Sequence, residues 1–115
     1  MAGKLREVNL EAGMPFVEHA IKRLTFELEQ GRRQKFAAVK LIHGYGSSGK
    51  GGKIRTAARK HLAGLKDRGA ITDFIPGEKF SIFEEATRKA FLRCEALRQD
   101  RDLDRYNNGV TFIVL

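Results

Sequence analysis

Residues 36–42, Phe-Ala-Ala-Val-Lys-Leu-Ile, form a short apolar run that leads directly into His43-Gly44-Tyr45-Gly46-Ser47-Ser48-Gly49-Lys50-Gly51-Gly52. Short apolar runs bounded by turn residues are the pattern of a central strand buried on both faces. Beyond the glycines, Ile54, Ala57, Ala58, His61, Leu62 and Leu65 recur at helical spacing, and Gly69 supplies a stop. The spacing therefore predicts a strand, a glycine-rich loop and a helix over about residues 53–68. A chain built on that unit folds as a sheet with helices packed on it.

The flanking segments extend the alternation. Residues 5–10 read as a first strand, Gly13 breaks it, and Pro15 suits the first turn of a helix. Val17, Ala20, Ile21, Leu24 and Leu28 share one face of that helix, which is expected to end near Gly31. Residues 70–75 read as a third strand closed by Pro76-Gly77, and residues 82–99 as a third helix with Phe83, Ala86, Ala90, Phe91, Cys94 and Leu97 inward. A polar stretch follows, and Asn108-Gly109 introduces a last strand over residues 110–115. The expected fold is α/β, a single domain over residues 1–115 in βαβαβ(α)β order with a mixed sheet.

Charge points to the partner. Lys and Arg number 22 against 14 Asp and Glu, a net charge of +8. Between residues 31 and 66 stand Arg32, Arg33, Lys35, Lys40, Lys50, Lys53, Arg55, Arg59, Lys60 and Lys66 without one acid. A positive field of this kind suits a polyanion, and nucleic acid is the commonest. The single cysteine, Cys94, leaves no internal disulfide, and neither a membrane-length apolar run nor a signal-peptide core is present; a cytoplasmic protein without a membrane partner is expected.

Gly44, Gly46, Gly49, Gly51 and Gly52 keep side chains out of the loop, so that successive backbone N–H groups can converge on an anion. The helix that follows adds its orphan N–H groups and dipole. Lys50, Lys53, Arg55 and Arg59 bring full charges, and Ser47 and Ser48 bring hydroxyls. Phosphate is the natural guest. Gly44-x-x-x-x-Gly49-Lys50 matches the first seven positions of a nucleotide-binding P-loop, which makes a phosphate or nucleotide binder one alternative. Gly51 stands where that motif carries the Ser or Thr that holds Mg²⁺, and the glycines through Gly52 place the helix start beyond Lys50.

Ile42-His43-Gly44-Tyr45-Gly46, the Gly/Ser-rich turn, Arg55 and the final Gly109-Val110-Thr111 resemble the His-Gly-x-Gly loop and closing strand of Smr (small MutS-related) domains. The resemblance spans residues 5–76 and 109–115, so residues 77–108 are an insertion that adds a helix before the last strand. It implies a two-layer sandwich similar to the C-terminal domain of a bacterial translation initiation factor. It also implies DNA or RNA binding and, in some members, metal-dependent nicking. Family members carry Leu-Asp-x-His-Gly on the first strand, where this chain has Val8-Asn9-Leu10-Glu11-Ala12. Asn9 supplies no carboxylate for a base or a hard metal, so binding through Gly44, Tyr45, Gly46, Ser47, Ser48, Gly49, Lys50, Lys53, Arg55 and Arg59 is the leading expectation. A nicking endonuclease with Mg²⁺ or Mn²⁺, His43 and Glu11 as its catalytic pair, is the second alternative.

Other residues carry weaker signals. His43 at the strand end either orients the turn or faces a ligand, and Tyr45 either stacks on a base or covers the sheet edge. His61 is expected against the helix's apolar face and His19 in solvent. Asp100, Asp102 and Asp104 alternate as in a calcium loop, but Arg105 and Thr111 stand at its Gly and Glu positions; an acidic surface loop paired with Arg101 and Arg105 is expected instead. Cys94 is read as a small core residue. Phe80, Ile82, Phe83 and Phe91 are expected to cover the sheet, with a homo-oligomer or partner surface as the alternative.

Overall fold

The computed structural model describes residues 3–13, 16–45 and 50–115, without the side chains of residues 50 and 51. It contains β1 (Leu5–Asn9), α1 (Val17–Arg33), β2 (Ala38–Ile42), α2 (Lys50–Asp67), β3 (Asp73–Pro76), α3 (Glu85–Arg93) and β4 (Val110–Val114). Short 3-10 turns at Gly77–Lys79 and Glu95–Gln99 flank α3. The four strands form one mixed sheet in the order β1-β2-β4-β3. β1 pairs parallel to β2, Leu5 opposite Ala38, while β4 runs antiparallel to both β2 and β3. Strands β1, β2 and β3 therefore all end at the same edge of the sheet, where β4 begins.

The period-2 alternation of β2 and β4 explains how both faces are covered. Val39, Leu41 and Ile113 point to α1 and α2, where Ala20, Leu24, Leu28, Ile54, Ala58 and Leu62 close one core. Ala38, Phe112 and Val114 point the other way, into a second core with Phe80, Phe91, Cys94 and Leu97. The expected two-layer sandwich thus becomes helices on both faces, because residues 77–108 cross behind the sheet. Phe80 stacks on Phe112 at 3.8 Å between ring centroids and meets Phe91 edge-on at 6.2 Å. Ile82 and Phe83, read as core with them, lie exposed, Phe83 at 82%.

Several boundaries moved for local reasons. α1 continues past Gly31 to Arg33 and closes with a Phe36 N–H to Gly31 carbonyl bond around Lys35, which takes the left-handed φ of 60°. α2 begins at Lys50, not at residue 53, so Gly51 and Gly52 stand in its first turn despite their poor helix propensity. The helix expected over residues 82–99 ends at Arg93, because Cys94 is extended at φ −143° and turns Leu97 back onto the sheet. β3 starts only at Asp73; Ile71 is buried in the α1–α2 core before the strand begins. Pro15 lies outside the described residues.

Candidate nucleic-acid interface

The carboxyl ends of β1 and β2 are joined beyond the ladder. The Leu10 N–H donates to the Ile42 carbonyl at 2.8 Å, and the His43 and Gly44 N–H groups both donate to the Gly109 carbonyl, at 3.0 and 2.9 Å. The start of the glycine loop is thereby clamped to the turn that opens β4. Gly44 has φ +77°, a left-handed conformation that favours glycine, and the Glu11 carboxylate occupies the space where a Cβ would stand. Gly109 is less crowded: a Cβ would stand 3.1 Å from the Tyr45 ring, a tight contact.

His43 lies inside this clamp, with 0% exposure. Its Nδ1 is 2.8 Å from the Gly44 carbonyl and its Nε2 is 2.8 Å from Thr111 Oγ1. A carbonyl only accepts, so Nδ1 carries the proton and Nε2 accepts from the Thr111 hydroxyl. The hydroxyl oxygen in turn accepts from Arg59 Nε at 3.1 Å. Burial, reinforced by the charges of Arg59 and Arg55, lowers the His43 pKa from 6.5 to about 4 and keeps the ring neutral. Both ring nitrogens of His43 are thus occupied by groups of the protein itself.

Arg59 completes the network. Its guanidinium forms a bidentate pair with Glu78, at 2.8 and 2.7 Å, and Nη2 also reaches the Val110 carbonyl at 3.3 Å. Burial would raise the Glu78 pKa, but the hydrogen bonds and charge of Arg59 outweigh it and hold the carboxyl below its ordinary value. Arg59 was expected to contact phosphate. It ties α2 to β4 and to the 3-10 turn of the inserted segment instead, since a planar fork matches a carboxylate better than solvent does.

Lys40 departs from the positive field too. It is 3% exposed on the opposite face of β2, with Nζ 3.0 Å from Asp100 and 2.7 Å from Asp102, and 5.6 Å from the Phe112 ring centroid. Burial pulls its pKa down, but the hydrogen bonds and charges of Asp102 and Asp100 raise it above the ordinary value. The acidic loop is therefore no surface feature paired with Arg101 and Arg105. It closes over a buried lysine, and Asp104 accepts from the Ile82 N–H at 3.2 Å. Of the other cations, Lys66 pairs with Asp73 at 2.9 Å and Arg32 with the Ala70 carbonyl.

Among the described side chains of α2, Lys53 and Lys60 are exposed and Arg55 half-exposed, beside the paired Lys66. Lys53 and Lys60 are two turns apart on one face and line a shallow groove with Val17, Thr56 and Ala57 between α1 and α2. Lys60 belongs to the sequence's basic run but was not singled out; its i+7 spacing from Lys53 was the available signal. The α2 first turn contains no acid. Gly46, Ser47, Ser48, Gly49 and the Lys50 side chain lie outside the described residues.

Glu11 is exposed beside Gly44, while the adjacent His43 ring turns inward to Thr111. The pair expected for nicking thus does not share an open cleft, and His43 has no free nitrogen for a base or a metal. Among the described residues no group of three or more His, Cys, Asp or Glu side chains comes together. His61 is half-buried and hydrogen-bonds Thr25 on α1 at 3.2 Å, its pKa lowered by burial and by Arg68. His19 is exposed as expected, and Cys94 is buried at 0% exposure, its thiol donating to the Gly3 carbonyl at 3.4 Å. No described helix is long and apolar enough to cross a membrane.

No family model matches the chain, and no match was found among curated proteins or among solved structures.

Proposed function

We propose that the chain is an Smr-like nucleic-acid-binding domain that engages DNA or RNA phosphates at the carboxyl ends of β1, β2 and β3. The observation that carries this reading is the start of α2 at Lys50, directly after the glycine loop, with Lys53, Arg55 and Lys60 outward and no acid in the first turn. Open α/β sheets present ligands at strand carboxyl ends, and a helix N-terminus there favours an anion. A mixed sheet backed by two helices on one face supports the likeness to the initiation-factor domain, with residues 77–108 as an addition on the other face. His43 orients the loop rather than reacting. The direct test is fluorescence anisotropy with labelled DNA and RNA oligonucleotides at low salt. Binding weakened by Lys53→Ala with Arg55→Ala supports the reading; undetectable binding, or binding the double variant leaves unchanged, overturns it.

One observation favours a second reading. With α2 starting at Lys50, that lysine stands at a helix start as a P-loop lysine does, and the bound anion would be a nucleotide. Glu78, the acid just beyond β3, is held by Arg59 rather than open to a metal. Thermal stabilisation by ATP or GTP without any by oligonucleotides would select this reading.

A further inference from the structure

Tyr45 is 59% exposed although it stands at the end of a buried central strand. The backbone beneath it is held on several sides. His43 and Gly44 donate to the Gly109 carbonyl, the His43 ring donates to the Gly44 carbonyl, and that ring is fixed in turn through Thr111 and Arg59. The Tyr45 ring edge rests over Gly109, where the missing Cβ leaves it room. Along the chain the loop leads into α2, on which Lys53 is exposed and Arg55 half-exposed. An exposed aromatic ring on an anchored backbone seat, at the strand end that leads into a basic helix, fits an unpaired base. A duplex hides its base faces in the stack and presents only phosphates to such a corner.

Resting on the binding reading above, we infer that Tyr45 is a stacking platform and that the site takes single-stranded nucleic acid in preference to duplex. DNA and RNA single strands share this chemistry, and oligo-dT and oligo-U arms distinguish them. The chain has two tyrosines and no tryptophan, so Tyr106→Phe leaves Tyr45 as the one emitter. In that background, titration with oligo-dT or oligo-U should quench tyrosine emission, while an oligo-dA·oligo-dT duplex should not. Tyr45→Ala should weaken single-strand binding about 5- to 100-fold, Tyr45→Phe should retain it, and duplex binding should be little changed by either. Quenching is read on the intact ring, so the inference stays testable even if Tyr45→Ala folds poorly. Single-strand binding without quenching, or a duplex bound as tightly with Tyr45→Ala neutral, overturns the platform while leaving phosphate binding in place. No binding of either form at low salt overturns both.

Discussion

Two polar clusters flank the same pair of strands, one on each face of the sheet, and they differ in kind. Under α2, His43, Thr111, Arg59 and Glu78 form a hydrogen-bond relay that reaches the surface at Glu78 and supports the loop opening. Under the inserted segment, Lys40, Asp100 and Asp102 form an ionic knot that holds residues 77–108 down and supports no opening. The first cluster positions a surface; the second fastens a layer. The comparison also shows that a basic run along the chain is not a basic patch in space. Lys40 and Arg59 are both neutralised internally, while Lys53 and Lys60 stay exposed on α2 and Arg33 and Lys35 stay exposed at the end of α1.

The largest effect should come from the knot. Lys40→Met leaves Asp100 and Asp102 facing an apolar interior, and removing one partner of a buried pair costs about 3–5 kcal/mol. Urea denaturation should show that loss, and adding Asp100→Asn and Asp102→Asn should recover much of it. If Lys40→Met alone were neutral, the two faces would not differ as described.

Acid should separate the clusters next. The unfolded chain protonates His43 near 6.5, but the folded chain does so only near 4. The unfolded state therefore binds more protons between those values, and stability falls as pH drops through that window, by about 3 kcal/mol at most. His43→Gln should flatten this part of a melting-temperature profile. Asp102 has a lowered pKa, since Lys40 and Asn107 outweigh the burial that would raise it; its contribution persists above its ordinary 3.8 and is lost only below. Lys40, with its raised pKa, contributes fully below 10.5 and loses that contribution as pH rises through its folded value. A smaller change is expected at Arg59: Arg59→Ala should cost about 1–2 kcal/mol in thermal melts, because the Thr111 hydroxyl and half-exposed Glu78 lose their donor. Arg59→Lys should recover little, since one ammonium does not replace the fork.

Local signals account for what could be read in advance. Helical spacing placed α1 and the inward face of α2, and the apolar run at residues 36–42 marked β2 as a central strand, whose neighbours β1 and β4 only the structure reveals. Glycine's low helix propensity hid the true start of α2, since tertiary packing can carry Gly51 and Gly52 into a first turn. Nothing local marked the break at Cys94, where the helical period continues but the sheet behind it claims Leu97. At the site, Gly44 and Thr111 lay within the motif residues, whereas Glu78 meets Arg59 across 19 residues of chain and Asp100 meets Lys40 across 60. Lys40 did give one warning: a lysine inside an apolar strand needs a buried acid somewhere.

The most direct test of a phosphate-binding face on the outward side of α2 is the salt dependence of oligonucleotide binding. Log affinity should fall linearly with log salt. Lys53→Ala should reduce the slope by about 1 while Arg59→Ala leaves it unchanged, because in the proposed binding mode only the former meets phosphate. Equal loss of slope in the two variants, or no binding at low salt, would contradict it.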